Sequence, residues 1–315
     1  MTAKVGIVGV TGYVGAELAR WVLQHPSLEL AAVVGRSAVG KRLDQVQPGL
    51  LGLTDLVVQD FDPQALAGLD VVALATPHGV AKGLASQLDH APRVLDLSAD
   101  HRHAPGWVYG LLEYAEGLDG ASRVAVPGCF ASALSLSIAP FVAAGVVNGP
   151  VHVTAMTGST GSGATPSSGT HHPERFANVR AYKVLSHQHV PEVRSFLGTL
   201  GEAPALSFVP VSGPWDRGIF ATSFVPVDPD ADATSIFVDA IAPHPLLRLR
   251  QGTPELRHVR GTGFCDLALH LDEPGLAVVL AAIDNLGRGA AAQGLACLER
   301  MLGIAPLPPA PPVLP

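Results

Sequence analysis

Lys4-Val5-Gly6-Ile7-Val8-Gly9-Val10-Thr11-Gly12-Tyr13-Val14-Gly15 is the stretch that decides the fold. Lys4–Val10 reads as a short apolar strand, and Ala16–Gln24 has helical character. Between them Gly9, Gly12 and Gly15 follow at three-residue spacing. Glycine in such a turn lets the backbone come close to a pyrophosphate, and the helix start behind it offers free N–H groups and a positive dipole end. The spacing is G-x-x-G-x-x-G rather than G-x-G-x-x-G, so the position between strand and helix carries the dinucleotide reading more than the glycines alone. Leu28–Val34 is the next strand, and Gly35-Arg36-Ser37 stands where an NAD enzyme often has a carboxylate for the ribose hydroxyls. A guanidinium and a hydroxyl suit a 2′-phosphate instead, which predicts NADP (NADPH) over NAD.

Further along, Asp70–Ala75 is nearly all apolar, as a strand covered on both faces should be, and ends in Thr76-Pro77-His78-Gly79. Arg93–Leu97 is another strand. The expectation is an α/β protein: a Rossmann-type doubly wound parallel sheet over 1–128, completed by a C-terminal helix within 285–315. An α+β catalytic and oligomerisation domain would fill 129–284, with candidate strands Val151–Met156, Ala205–Val211, Phe220–Val227, Asp266–Leu271 and Leu276–Ile283. A length of 315 residues fits two domains, and 48% hydrophobic content can bury a large core. The net charge of −7 gives no global basic field, against nucleic-acid binding. Apolar runs such as Val71–Thr76 are too short to span a membrane. No signal-peptide pattern precedes the first strand, and the Pro-rich stretch Ala305–Pro315 reads as a loose tail. Cys129, Cys265 and Cys297 form neither a disulfide framework nor a metal spacing, which predicts a reducing cytoplasm and no metal.

The chemistry concentrates in two segments. Val124-Ala125-Val126-Pro127-Gly128-Cys129 is a strand running through Pro-Gly into a small-residue helix, Phe130 to Phe141. A cysteine at a helix N-terminus has its thiolate, the reactive form, favoured by the dipole. The second segment is Tyr182-Lys183-Val184-Leu185-Ser186-His187-Gln188-His189-Val190-Pro191-Glu192. A thiol nucleophile needs a partner that takes and returns a proton near the working pH, which histidine does. Read on a strand, His187 and His189 cannot both aim at one atom, so one would be the base and the other would orient substrate.

Taken together, these stretches resemble the N-acetyl-γ-glutamyl-phosphate reductase family within the aspartate-semialdehyde dehydrogenase superfamily. The matching pieces are Gly9–Gly15, Ala75–Gly79, Asp96–Arg102, Val126–Phe130, Tyr182–Glu192, Arg217–Ile219 and Asp284–Ala290, in family order along nearly the whole chain. The resemblance implies that Cys129 attacks an acyl phosphate to form a thioester, which NADPH reduces to the aldehyde. His187 or His189 would supply the acid/base step, His187 being preferred. It also implies that Val10, Thr11, Gly12 and Tyr13 with Gly35, Arg36 and Ser37 contact the cofactor, and that Asn285 holds the nicotinamide. Arg102 and Arg217 become candidates for substrate phosphate or carboxylate; Ser159, Tyr182 and Glu192 join them as substrate-site residues. A homodimer or homotetramer is expected.

The branch is read from departures. The arginine-pathway branch typically has Gly-Ala-Gly-Arg after the strand that follows the cysteine helix, whereas Gly158–Pro166 here has no arginine. The segment through Arg175 resembles the lysine-biosynthesis branch instead. The expectation is therefore reduction of an aminoadipyl phosphate borne by an acidic amino-group carrier protein (LysW-type), steered by Arg175, Arg180 and Lys183. The alternative is N-acetyl-γ-glutamyl-phosphate reduction in arginine biosynthesis, or both. Further alternatives are an aspartyl-phosphate enzyme and a non-enzymatic NADP-sensing protein.

Overall fold

The apolar stretches do become strands. A computed structural model describes residues 2–89, 91, 93–271 and 273–309. The described residues divide into two units, those up to 128 with 290–308, and 129–289.

In the first unit, β1 (Ala3–Val8), β2 (Leu28–Val34), β3 (Val71–Leu74), β4 (Val94–Asp96), β5 (Val108–Tyr109) and β6 (Arg123–Ala125) form one sheet in the order β2-β1-β3-β4-β6-β5. Every pairing is parallel. β3 and β4 are buried along their whole length; β3 accordingly reads as an unbroken apolar run, while β4 carries the buried Asp96. The order reverses between β1 and β3, so the carboxyl ends of these two strands border the crevice in which open α/β sheets bind ligands. Helix α1 (Tyr13–Gln24) buries Leu18, Ala19, Trp21 and Val22 in a core shared with the C-terminal helix Ala292–Leu302.

The expected loose tail is only partly so. Residues 310–315 lie outside the described part, but the segment before them is tied down. Glu299 receives the backbone N–H of Leu307 at 2.7 Å, and Nε2 of His25 lies 3.2 Å from the Ala305 carbonyl. His25 and Glu299 are both buried, 3.4 Å apart.

The second unit is built on a mixed sheet of β7 (Val151–Thr157), β8 (Arg180–Ala181), β9 (Leu206–Ser212), β10 (Ile219–Pro226), β11 (Leu247–Leu249), β12 (Cys265–Leu271) and β13 (Leu276–Ile283). The order is β11-β12-β13-β10-β7-β9-β8. β7 and β9 run parallel, while β10 is antiparallel to both β7 and β13. On this sheet lie α3 (Cys129–Ala143), α4 (His189–Leu197) and α5 (Ala233–Ile241); a short α2 (Ala81–Ala85) belongs to the first unit. α3 is apolar almost all round and correspondingly buried. Among the described residues no helix is long and apolar enough to cross a membrane.

Candidate active site

The glycine turn of the first unit sits at the reversal of strand order. Gly9 has φ 94°, and a Cβ there would run into the backbone of Ala75, the residue after β3. A Cβ on Gly15 would strike the Gly9 carbonyl and the Val10 Cα. Both positions therefore require glycine, and their bare backbone leaves a cradle before α1. The helix opens at Gly12 with no side-chain cap, so its first N–H groups are not claimed by a capping side chain. The carboxyl ends of β1 and β2 are level, Val8 facing Val34, which sets the exposed Arg36 and Ser37 beside the turn; Gly35 packs on Thr11. Val10 and Thr11 are fixed from behind by Nε2 of Gln47, which donates to both carbonyls. Tyr13 is exposed. These features fit a dinucleotide.

The ends of β3 and β4 are stitched together. Asp100 receives the backbone N–H groups of Gly79 and Lys82, and Nδ1 of His78 receives that of Ala99. Asp96, fully buried, meets Nδ1 of His101 at 2.6 Å, and His101 stacks on Trp107. Arg102 is buried, with Nε donating to the Val126 carbonyl at 2.9 Å.

In the second unit Cys129 is the first residue of α3 and is half-buried. Gly289, in the π-helical turn Gly287–Ala291, lies so close that a Cβ on it would come within 2.7 Å of the Cys129 Cβ. The two histidines sit on no strand. His187 is in the turn before α4 and His189 opens that helix, so both rings face the same side, 4.8 Å apart. Both make edge contacts with Phe130, the neighbour of Cys129, and Tyr182 lies edge-on to His187. Turn geometry thus does what a strand could not.

The backbone N–H of His189 donates to Nδ1 of His187 at 3.3 Å, which leaves the neutral ring's proton on Nε2. Burial, followed by the charge of Lys183, holds the His187 pKa down to about 4. Glu192, one turn into α4 and buried, has a carboxylate oxygen 3.9 Å from Nε2 of His189. Burial raises the Tyr182 hydroxyl pKa; the Cys129 thiolate adds to this and the Arg175 guanidinium opposes it.

A second cluster surrounds Asp284, which is fully buried. It accepts from Nε of Arg217 at 2.7–2.8 Å and from the backbone N–H groups of Gly261, Leu286 and Gly287. Asn285 accepts from Gly218 N at 2.7 Å and donates to the Thr160 hydroxyl at 3.0 Å. Ser159 donates its N–H to Trp215, and Thr160 both its N–H and its hydroxyl to Asp216. Asp284, Thr160 and Gly289 were not among the expected site residues. The Asp-Asn pair opening Asp284–Ala290 is the sequence signal that points to the first of them. Among the described residues no group of three or more His, Cys, Asp or Glu is placed to hold a metal ion.

Two family models match the chain. One, described as the NAD binding domain of semialdehyde dehydrogenase, covers residues 4–118; the other, described as its dimerisation domain, covers 129–285. An N-acetyl-gamma-glutamyl-phosphate reductase of Salinispora tropica is 40% identical over 96% of both chains. One of Methanocella arvoryzae is 36% identical over 95% of both. The fold matches that of aspartate semialdehyde dehydrogenase II from Vibrio cholerae, with TM-score 0.77, 15% identity and coverage of 96% of this chain and 99% of that one. It also matches aspartate semialdehyde dehydrogenase with NADP from Candida albicans, with TM-score 0.74, 15% identity and the same coverage.

These relatives overturn the lysine-branch expectation, and with it the aminoadipyl substrate and the acidic carrier partner. The geometry explains the misreading. The turn after β7 is held by backbone bonds to Trp215, Asp216 and Gly218, and it needs glycine at 158 and a hydroxyl at 160 but no arginine. The three cations expected to steer a carrier are engaged within their own unit. Arg175 donates to the Thr157 carbonyl, Arg180 to that of Gly169, and Lys183 to the Gln188 side chain.

Proposed function

Because the chain belongs to the N-acetyl-gamma-glutamyl-phosphate reductase family, we propose that it reduces free N-acetyl-gamma-glutamyl phosphate to the semialdehyde through a thioester on Cys129. It is an enzyme, an NADP(H)-dependent acyl-phosphate reductase of semialdehyde-dehydrogenase type. The observation that carries the reading is Cys129 opening α3, with His187 and His189 both packed on its neighbour Phe130.

The chemistry follows from these placements. The helix start favours the thiolate. The sulfur attacks the acyl carbon, the C–O bond to phosphate breaks, and phosphate leaves with its electron pair. The thioester on Cys129 then takes up hydride, which bound NADPH would supply, and becomes a hemithioacetal. Collapse of that adduct expels the sulfur as thiolate and releases the aldehyde. His187 is uncharged at neutral pH and carries its proton on Nε2, so it steadies the oxygen that gains charge at each tetrahedral stage. His189, with Glu192 at its side, completes the proton traffic. Arg217, held by Asp284, is an orienting cation for the substrate, as is Arg102. Ser159 and Tyr182 serve as substrate-site residues of the second unit. Gly9–Tyr13, Gly15 and Gly35–Ser37 hold the cofactor, with Arg36 on the 2′-phosphate. Asn285 keeps one Nδ2 hydrogen beyond its bond to Thr160, and holds the nicotinamide amide. A cytoplasmic location belongs to the same proposal, since Cys129, Cys265 and Cys297 are thiols rather than disulfides.

The test compares kcat/KM with NADPH for N-acetyl-gamma-glutamyl phosphate and aspartyl phosphate. A strong preference for the former is expected, lost at least ~10³-fold in Cys129→Ser. Intact mass after mixing with substrate but no NADPH should reveal one acyl adduct on Cys129. Preference for aspartyl phosphate, or activity surviving in Cys129→Ser, would falsify the reading.

A further inference from the structure

Arg175 is a half-buried cation of the second unit with no acidic partner among the described residues. It closes the short helix His172–Arg175, in the excursion that leaves β7 and returns at β8. Its side chain turns back to the start of that excursion, where Nη2 donates to the carbonyl of Thr157, the last residue of β7, at 3.2 Å. Nε is buried and meets no acceptor among the described residues. No carboxylate there pairs with Arg175 or with Arg180, which lies close enough to repel it. Burial and this repulsion both act against the charged form of Arg175. A half-buried guanidinium beside a second one, with neither in an ion pair among the described residues, is favoured by an anion that joins it.

Arg217 shows the contrast. Its guanidinium is fixed in place by the buried Asp284 carboxylate, so its position is explained within the fold. The residues from Gly158 to Thr170 contribute no lysine or arginine, and Arg217, whose backbone lies beside Gly158, is already tied to Asp284. Tyr182 connects it to the chemistry: its hydroxyl responds to both Arg175 and the Cys129 thiolate, and its ring touches His187.

We propose that Arg175 is a substrate-binding residue, taking an oxyanion of the acyl-phosphate substrate at the carboxyl end of β7. This deepens the reductase reading and rests on it. An acyl phosphate of a carboxylic amino acid carries such oxygens on the phosphoryl group and on its free carboxylate. Both present the oxygen pair that a guanidinium fork binds with two parallel hydrogen bonds.

Calorimetric titration of inorganic phosphate and of N-acetylglutamate into the wild type, Arg175→Gln and Arg175→Lys tests this without turnover. Arg175→Gln is expected to lose at least ~10-fold in affinity for one of the two anions, and Arg175→Lys less, with melting temperatures unchanged. In the reverse reaction, from semialdehyde, phosphate and NADP⁺, the KM for the same anion should rise by a similar factor while kcat stays within about threefold. A phosphate effect assigns Arg175 to the phosphoryl group; an N-acetylglutamate effect assigns it to the carboxylate. Wild-type affinities and KM values in both variants, or a fall in kcat alone, would overturn the proposal while leaving the reductase reading intact. Arg175-dependent anion binding in a wild type that does not turn over would keep the anion site and remove the reductase reading.

Discussion

His187 shows how much one side chain's surroundings decide. Its imidazole is buried, its Nδ1 is occupied by a backbone N–H, and its pKa lies at about 4. A histidine shifted downward is neutral above its folded pKa and gains a proton as pH falls through it. The kcat/KM profile of the wild type should therefore carry an acid limb near pH 4. His187→Asn should lower kcat by ~10²-fold or more and remove that limb, and a limb unchanged in the variant would show that His187 does not titrate in catalysis. The residue types of the site were legible in the sequence: Cys129, the paired histidines, Tyr182 and Glu192 all fall in the two segments that singled themselves out. Their geometry was not. Spacing alone cannot distinguish a strand, which sends alternate side chains to opposite faces, from a turn entering a helix, which brings His187 and His189 to one side. Nor does sequence tell which arginine meets an acid. Arg217 and Arg175 look alike until Asp284 is found beside one of them.

At the scale of elements, the π-helical turn Gly287–Ala291 does more than join β13 to the C-terminal helix. Gly289 N donates to the Asp284 carbonyl, and the missing side chain lets the turn press on Cys129. Gly289→Ala must move either the turn or the first residue of α3. Cys129 should then be alkylated by iodoacetamide at a rate altered severalfold, and kcat should fall by ~10-fold or more, with little change in NADPH affinity. Unchanged alkylation and turnover would mean that the contact relaxes without consequence. The parallel sheet was readable because β1, β2 and β3 are mostly apolar and the glycine turn follows the first of them. The shortest edge strands were not. β5 and β8 are two residues each, with half-buried or exposed side chains, and carry no periodic signal. The helix expected from Asn285 begins later, at Ala292, because Asp284 draws the backbone N–H groups of Leu286 and Gly287 onto its carboxylate.

At the scale of the whole molecule, the pairing of His25 with Glu299 makes the fold sensitive to pH. Burial lifts the Glu299 pKa from 4.5 to about 7, against the lowering effect of the Leu307 N–H. An acid whose folded pKa is raised adds stability below its unfolded pKa, and that stability fades as pH climbs through 4.5 towards 7. His25 is shifted the other way by burial, so its contribution is present above 6.5 and fades as pH falls. Glu299→Gln should melt above the wild type at pH 8, by about 3 °C if roughly 1 kcal/mol is recovered, and the gap should close by pH 5. The same offset at both values would detach the carboxylate from the effect.

The excursion bearing Arg175 departs from an interior strand, β7, and rejoins at the rim, β8, so the sheet's hydrogen-bond ladder passes beneath it uninterrupted. It is in effect an exchangeable cassette. Recognition of the acyl group could diverge between kindred enzymes by swapping some twenty residues, while the sulfur, the imidazoles and the hydride chemistry are inherited untouched.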